Sequence, residues 1–172
     1  LAKKNLTPSV EIIIMNQTFS VREATQKLES YCAYQDRCHE EVIAKLRAMG
    51  MIQEAIDVIA VHLIQHNFLN EERFARSFAR GKHRIKHWGK VRITNELKVR
   101  NISQRNITTG LSEISAEEYF DTFNSAAERH WESIREENLL KKRKKFCDFL
   151  LRKGFESALI YEKMKELEAA GQ

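Results

Sequence analysis

The chain has 172 residues, 42% hydrophobic and 31% charged, with 29 Lys and Arg against 24 Asp and Glu for a net charge of +5. That balance fits an ordered, helix-rich, soluble protein and excludes a disordered one, while one proline and six glycines leave little material for a turn-rich sandwich or barrel. No apolar stretch is longer than the four residues of Ile12–Met15, far short of the ~20 residues that cross a bilayer, and three cysteines, an odd number, point to a reducing cytoplasm rather than a disulfide framework. The chain opens on Leu1 rather than a start methionine, and no signal-peptide pattern follows it.

Residues 1–19 read as an extended lead-in, because Pro8 and the β-branched Val10–Ile14 do not suit a helix. Ser20 and Glu23 then stand at capping-box spacing and open a helix to about Tyr34, with Ala24, Leu28 and Tyr31 on one face. A second helix over 38–49 turns Val42, Leu46 and Met49 inward and stops at Gly50, and a third over 52–66 uses Ile56, Ile59, Leu63 and His66.

Asn70 caps the next helix, about 70–86, with Glu71 and Glu72 in its first turn. Gly89 separates it from a helix over 89–100 that packs Ile93 and Leu97, and Ser103 caps a shorter, weaker one to about 113, interrupted by Thr108, Thr109 and Gly110. Ser115 and Glu118 open a long acidic helix to about 138, and helices over 139–153 and 155–169 follow, divided by Gly154. The expected fold is all-α, with nine helices.

The nine form a repeat. Val42, Ile93 and Phe146 align, as do Leu46, Leu97 and Leu150. Gly50, Asn101 and Gly154 follow, each suited to a left-handed cap, and then Met51, Ile102 and Phe155. Ile56, Ile107 and Ile160 continue the register, with Leu63, Ile114 and Leu167 beyond them. The chain therefore reads as three tandem three-helix repeats, 20–67, 68–114 and 115–172, forming an elongated, curved array of the kind that binds large partners.

Charge is concentrated in the middle repeat. From Arg73 to Arg105 there are eleven Lys or Arg and one acid, Glu96. At 100° per residue Arg73, Arg76, Arg80, His83, Arg84 and His87 fall on one arc, beside a narrower apolar arc of Phe74, Phe78 and Ile85. With no acid between Glu72 and Glu96, the cationic arc reads as a binding face for phosphates, for an acidic protein surface, or for both. The candidate contact residues are Arg73, Arg76, Arg80, Lys82, Arg84, Lys86, His87, Trp88, Lys90 and Arg92, with Trp88 either packed at a helix junction or exposed for stacking. Lys141, Lys142, Arg143, Lys144 and Lys145 open the eighth helix against its dipole. They read as a second patch, or as partners of Glu128, Glu132, Glu136 and Glu137.

No catalytic, metal or cofactor site is expected. Gly81-Lys82 and Gly89-Lys90 lack the rest of a phosphate-binding loop, and no nucleophile elbow occurs. Cys32, Cys38 and His39 have no fourth ligand, and His62 and His66 lack the glutamate of a zinc-binding helix.

Phe68, Leu69, Arg73-Phe74-Ala75, Gly89, Arg92-Ile93, Glu96-Leu97 and Ile102 resemble the central motif of the RecX family, regulators of the RecA recombinase. Tyr31-Cys32-Ala33-Tyr34, Arg37-Cys38 and Glu41-Val42 through Leu46 and Gly50 are similar to the first repeat of one branch of that family. The resemblance covers about residues 28–169, its third repeat in pattern only. It implies three tandem repeats in a curved molecule that binds in the groove of a RecA–DNA filament and inhibits strand exchange and ATP hydrolysis. The partners so implied are the RecA nucleoprotein filament and single- or double-stranded DNA, with the chain a cytoplasmic monomer that has no membrane partner. The family's glycine is usually followed by proline, whereas Lys90 follows Gly89 here. Two other readings stand beside this one: a stand-alone DNA-binding protein of the helix-turn-helix kind, and a helical scaffold whose basic face is incidental.

Overall fold

A computed structural model describes residues 19–170, and the lead-in at 1–18 lies outside the described residues. Those residues form nine helices and no strand: α1 (Val21–Tyr34), α2 (His39–Ala48), α3 (Gln53–Gln65), α4 (Glu71–Lys86), α5 (Lys90–Val99), α6 (Gln104–Leu111), α7 (Ala116–Ser133), α8 (Leu139–Lys153) and α9 (Ser157–Ala170). None is long and apolar enough to cross a membrane. The caps read from sequence do their work. Ser20 and Glu23 complete a capping box, and Asn70, Ser103 and Ser115 each accept an N–H three residues on.

The repeat is realised atom for atom at its turns. Gly50, Asn101 and Gly154 have φ of 78°, 56° and 85°. The N–H groups of Met51, Ile102 and Phe155 donate back to the carbonyls of Leu46, Leu97 and Leu150 at 3.1, 3.1 and 3.2 Å, closing the same C-terminal motif three times. Asn101 has an additional task. Its side-chain amide donates to Glu40 of α2 at 2.7 Å, tying the first repeat to the second.

The cores do not follow the threefold pattern. Leu28, Val42, Leu46, Ile56, Ile59 and Leu63 form one core within α1–α3. Phe74, Ile93, Leu97, Ile107, Phe123, Phe146, Leu150, Phe155 and Ile160 form another, continuous from α4 to α9. The second and third repeats are therefore fused by shared burial, with each phenylalanine contributing about 1.5–3 kcal/mol relative to exposure.

Three local expectations shift. Helix α7 ends at Ser133 rather than near 138, because Ile134 turns into extended backbone to pack against the large core and Asn138 caps α8. Helix α6 continues through Thr108, Thr109 and Gly110, where Gly110 permits the backbone of α6 to meet that of α4 at Ala75. On α4 the packed face is Phe74, Ala75, Ala79 and His83, while Ile85 is 72% exposed. Alanines, not an aromatic stripe, let α4 and α6 approach closely.

Candidate functional site

The basic face is built on α4 and the turn into α5. His87 takes a left-handed conformation at φ 53°, so the chain reverses and Trp88 and Gly89 lead directly into α5. His83 organises that turn from inside. It is fully buried, its Nδ1 lies 2.9 Å from the Trp88 carbonyl oxygen, and its ring stacks on Tyr119 at 5.4 Å. His83 therefore leaves the cationic arc to which its spacing assigned it.

Folding brings acids to the arc that the local sequence lacks. Arg73 donates to Asp36 at 2.7 Å, and also to the Asn67 side chain and the Phe68 carbonyl. Arg76 is held between Glu72 and Glu113, Arg80 reaches the other oxygen of Glu113 at 2.9 Å, and Arg84 grips Glu118 at 2.6 Å. The Arg76 guanidinium, then that of Arg80, holds the Glu113 carboxyl below its ordinary range, and Arg84 does the same for Glu118. One edge of the arc is thus neutralised from the loops after α1 and α6 and from the first turn of α7.

The other edge is not. Lys82, Lys86, Lys90 and Arg92 form no ion pair with a carboxylate among the described residues. Lys82 and Arg92 instead alternate with aromatic rings, joined by Arg100, which also pairs with Glu96. Arg100 and Lys82 lie 5.1 and 5.2 Å from the Phe78 centroid, and Lys82 and Arg92 lie 5.2 and 3.9 Å from the Trp88 ring. Lys90 sits 4.6 Å from the Tyr119 ring alongside. Trp88 is half-buried, packed on the large core at the helix junction and flanked by Lys82 and Arg92. Lys86 and His87 extend this surface as exposed residues. Desolvation first, then the nearby charges of Lys153 and Arg129, push the His87 imidazole below its ordinary value.

The KKRKK run divides similarly. Arg143 pairs with Glu168 of α9, Lys144 with Asp148 and Lys145 with Glu136. Lys142 lies 4.2 Å from the Trp131 ring, and Lys141 is exposed. Of the four acids offered by sequence, Glu136 alone pairs with the run; Glu128 turns to Lys163 instead. The sequence places Phe78 in the apolar arc and gives Arg100 no contact role. The signal available for Phe78 was a cation four residues later, Phe78–Lys82, a spacing that brings the two together on one helix face. Among the described residues no three His, Cys, Asp or Glu side chains converge as a metal site.

This framework has close counterparts. The model of the second three-helix domain of RecX matches residues 70–111, and that of the third matches residues 117–164. The chain is 27% identical over 159 residues to the regulatory protein RecX of Bacillus cytotoxicus, covering 92% of this chain and 59% of that one. It is 27% identical over 151 residues to the RecX of Prosthecochloris aestuarii, covering 85% and 94%. The crystal structure of RecX from Lactobacillus salivarius superposes with a TM-score of 0.72 at 23% identity, over 87% of this chain and 97% of that one, a likeness of fold. The chain thus spans under two thirds of the Bacillus relative and nearly all of the Prosthecochloris one. With two successive domain models matching more than half of its length in the order in which its second and third repeats are built, the chain belongs to the RecX family.

Proposed function

We propose that this chain regulates a RecA recombinase by occupying the groove of the RecA–DNA filament, inhibiting strand exchange and ATP hydrolysis without chemistry of its own. The observation that carries this reading, beside family membership, is the row Phe78–Lys82–Trp88–Arg92 in the middle of the array, whose two cations have no carboxylate partner among the described residues. A cation held on an aromatic face keeps its charge while losing little mobility on binding. Such a surface suits the phosphates and acidic protein groups that a nucleoprotein groove presents together. The working units in this reading are 20–67, 68–114 and 115–172, acting as one monomeric body in the cytoplasm, with Lys141 and Lys142 as a second point of contact.

The test measures RecA-catalysed strand exchange and ATP hydrolysis with increasing amounts of the chain, and its affinity for naked DNA and for the filament at one salt concentration. Inhibition at stoichiometric amounts with preference for the filament is the expected result. Tight binding to naked DNA without inhibition would favour a stand-alone DNA-binding protein instead.

A further inference from the structure

A cleft of about 710 Å³ opens between the end of α1 and the outer face of α4. Its α4 wall carries Phe78, Gly81, Lys82 and Ile85, at the i, i+3, i+4, i+7 spacing of a single helix face. Its lips are Tyr34, 88% exposed, and Ile85, 72% exposed, two large apolar side chains left uncovered on opposite sides of one cavity.

Gly81 is the unusual residue here. Glycine in a helix interior is less favourable than any residue but proline, and at Gly110 close backbone packing explains it. A Cβ on Gly81 would meet nothing within 4 Å, so packing does not require glycine there. The space in front of it is the cleft itself, which any side chain at this position would begin to fill.

The charges that line the cleft are unequally satisfied. Asp36 is paired with Arg73, Glu41 accepts the Cys38 N–H, and Arg100 is paired with Glu96. Lys82 and Lys86, one turn apart, are left without a carboxylate among the described residues. An occupant complementary to this site has an apolar body and adjacent negative charge. A nucleic-acid strand is the poorer match: Asp36 and Glu41 stand on the wall opposite the lysines, and the Phe78 ring already carries Lys82 and Arg100.

We propose that this cleft docks a short acidic-apolar segment of a partner protein, seating one apolar side chain over Gly81 between Tyr34 and Ile85 and placing flanking carboxylates on Lys82 and Lys86. The proposal goes beyond filament regulation. It concerns binding of an isolated peptide, so its failure and the failure of that reading are separately visible.

The experiment uses the full chain and a fluorescein-labelled peptide of alternating Asp, Glu, Phe and Leu, read by anisotropy, with a labelled oligothymidylate as a second probe. The peptide is expected to bind saturably, and to weaken about tenfold or more in Gly81→Leu, which plugs the cleft, and in Lys82→Glu/Lys86→Glu, which reverses its charge. Thermal unfolding of Gly81→Leu is expected at or above that of the parent, since leucine is the better helix former. Equal peptide affinity in parent and Gly81→Leu, or no saturable peptide binding, would overturn the proposal. So would oligothymidylate binding that Gly81→Leu abolishes while the peptide fails to compete.

Discussion

Gly89 and Gly154 lie back to back: a Cβ built on Gly89 would overlap the carbonyl oxygen of Gly154, and one built on Gly154 would overlap Arg92. Around this contact the Gly89 N–H donates to the Lys153 carbonyl at 2.8 Å and the Val91 N–H to that of Gly154 at 3.0 Å. The start of α5 and the end of α8 therefore satisfy each other's orphan groups, positive dipole end against negative. The second and third repeats are joined here through backbone.

Replacing either glycine by alanine is expected to lower stability by about 2–4 kcal/mol, through overlap and, at Gly154, a strained left-handed backbone. Gly50→Ala is the control. It carries the same left-handed strain at φ 78° with open space around it, and is expected to lose only about 1–2 kcal/mol. Urea denaturation of the three variants measures the difference, which is the worth of the junction.

Lys90 supplies a second test of the same joint. Its N–H donates to the Tyr119 hydroxyl at 3.1 Å, and that hydroxyl donates to Glu156 at 2.6 Å. Tyr119→Phe strands the amide and is expected to lose about 1–2 kcal/mol. In a Lys90→Pro background there is no amide to strand, proline is welcome at the first position of a helix, and Gly89 at ψ 165° already has the conformation that precedes proline. The cost of Tyr119→Phe should shrink in that background, as a double-mutant cycle by thermal unfolding would show.

For partner binding, the neutralised and unneutralised edges of the basic face should separate. Lys82→Ala with Arg92→Ala is expected to weaken binding to the RecA–DNA filament about tenfold or more and to flatten its salt dependence. Arg76→Ala and Arg80→Ala remove charge already offset by Glu113, and are expected to change that affinity by less than about threefold. Equal losses from both pairs, measured by anisotropy, would mean that the ion pairs open on binding.

Acid should destabilise the fold in two stages. Burial lowers the His87 and His130 imidazoles below 6.5, so the unfolded chain takes up protons first as pH falls past that value. Their share of stability is present above 6.5 and is lost below it, down through the folded values. Glu113, Glu118 and Glu136, held below 4.5 by Arg76, Arg84 and Lys145, contribute above 4.5, and their share is lost as pH falls further through their folded values. Glu113→Gln should flatten the second stage and leave the first unchanged, as read from urea midpoints across the acid range.

Much of this architecture was legible locally. Caps at Ser20, Asn70, Ser103 and Ser115 need only a polar side chain three residues before an N–H, and the triple alignment of Gly50, Asn101 and Gly154 needs only a left-handed turn. The basic face was half legible. Charge density marked α4, yet His83 was assigned outward and Ile85 inward, because helical phase alone does not say which face α6 will cover. The 3.6-residue period fixes which side chains share a face, whereas burial depends on what arrives from elsewhere in the chain.

The sequence by itself determined nine helices, their threefold register and the concentration of positive charge in the middle repeat, because propensity, capping and periodicity act within a few residues. Tertiary structure decided the rest. It brought Asp36, Glu113 and Glu118 to the arginines across more than thirty residues of chain, and left Lys82, Lys86 and Arg92 without carboxylate partners among the described residues. It also fused the second and third repeats through Gly89 and Gly154. Coulomb attraction and close packing depend on distance in space, and the separation of residues along a chain does not reveal that distance before the helices have packed.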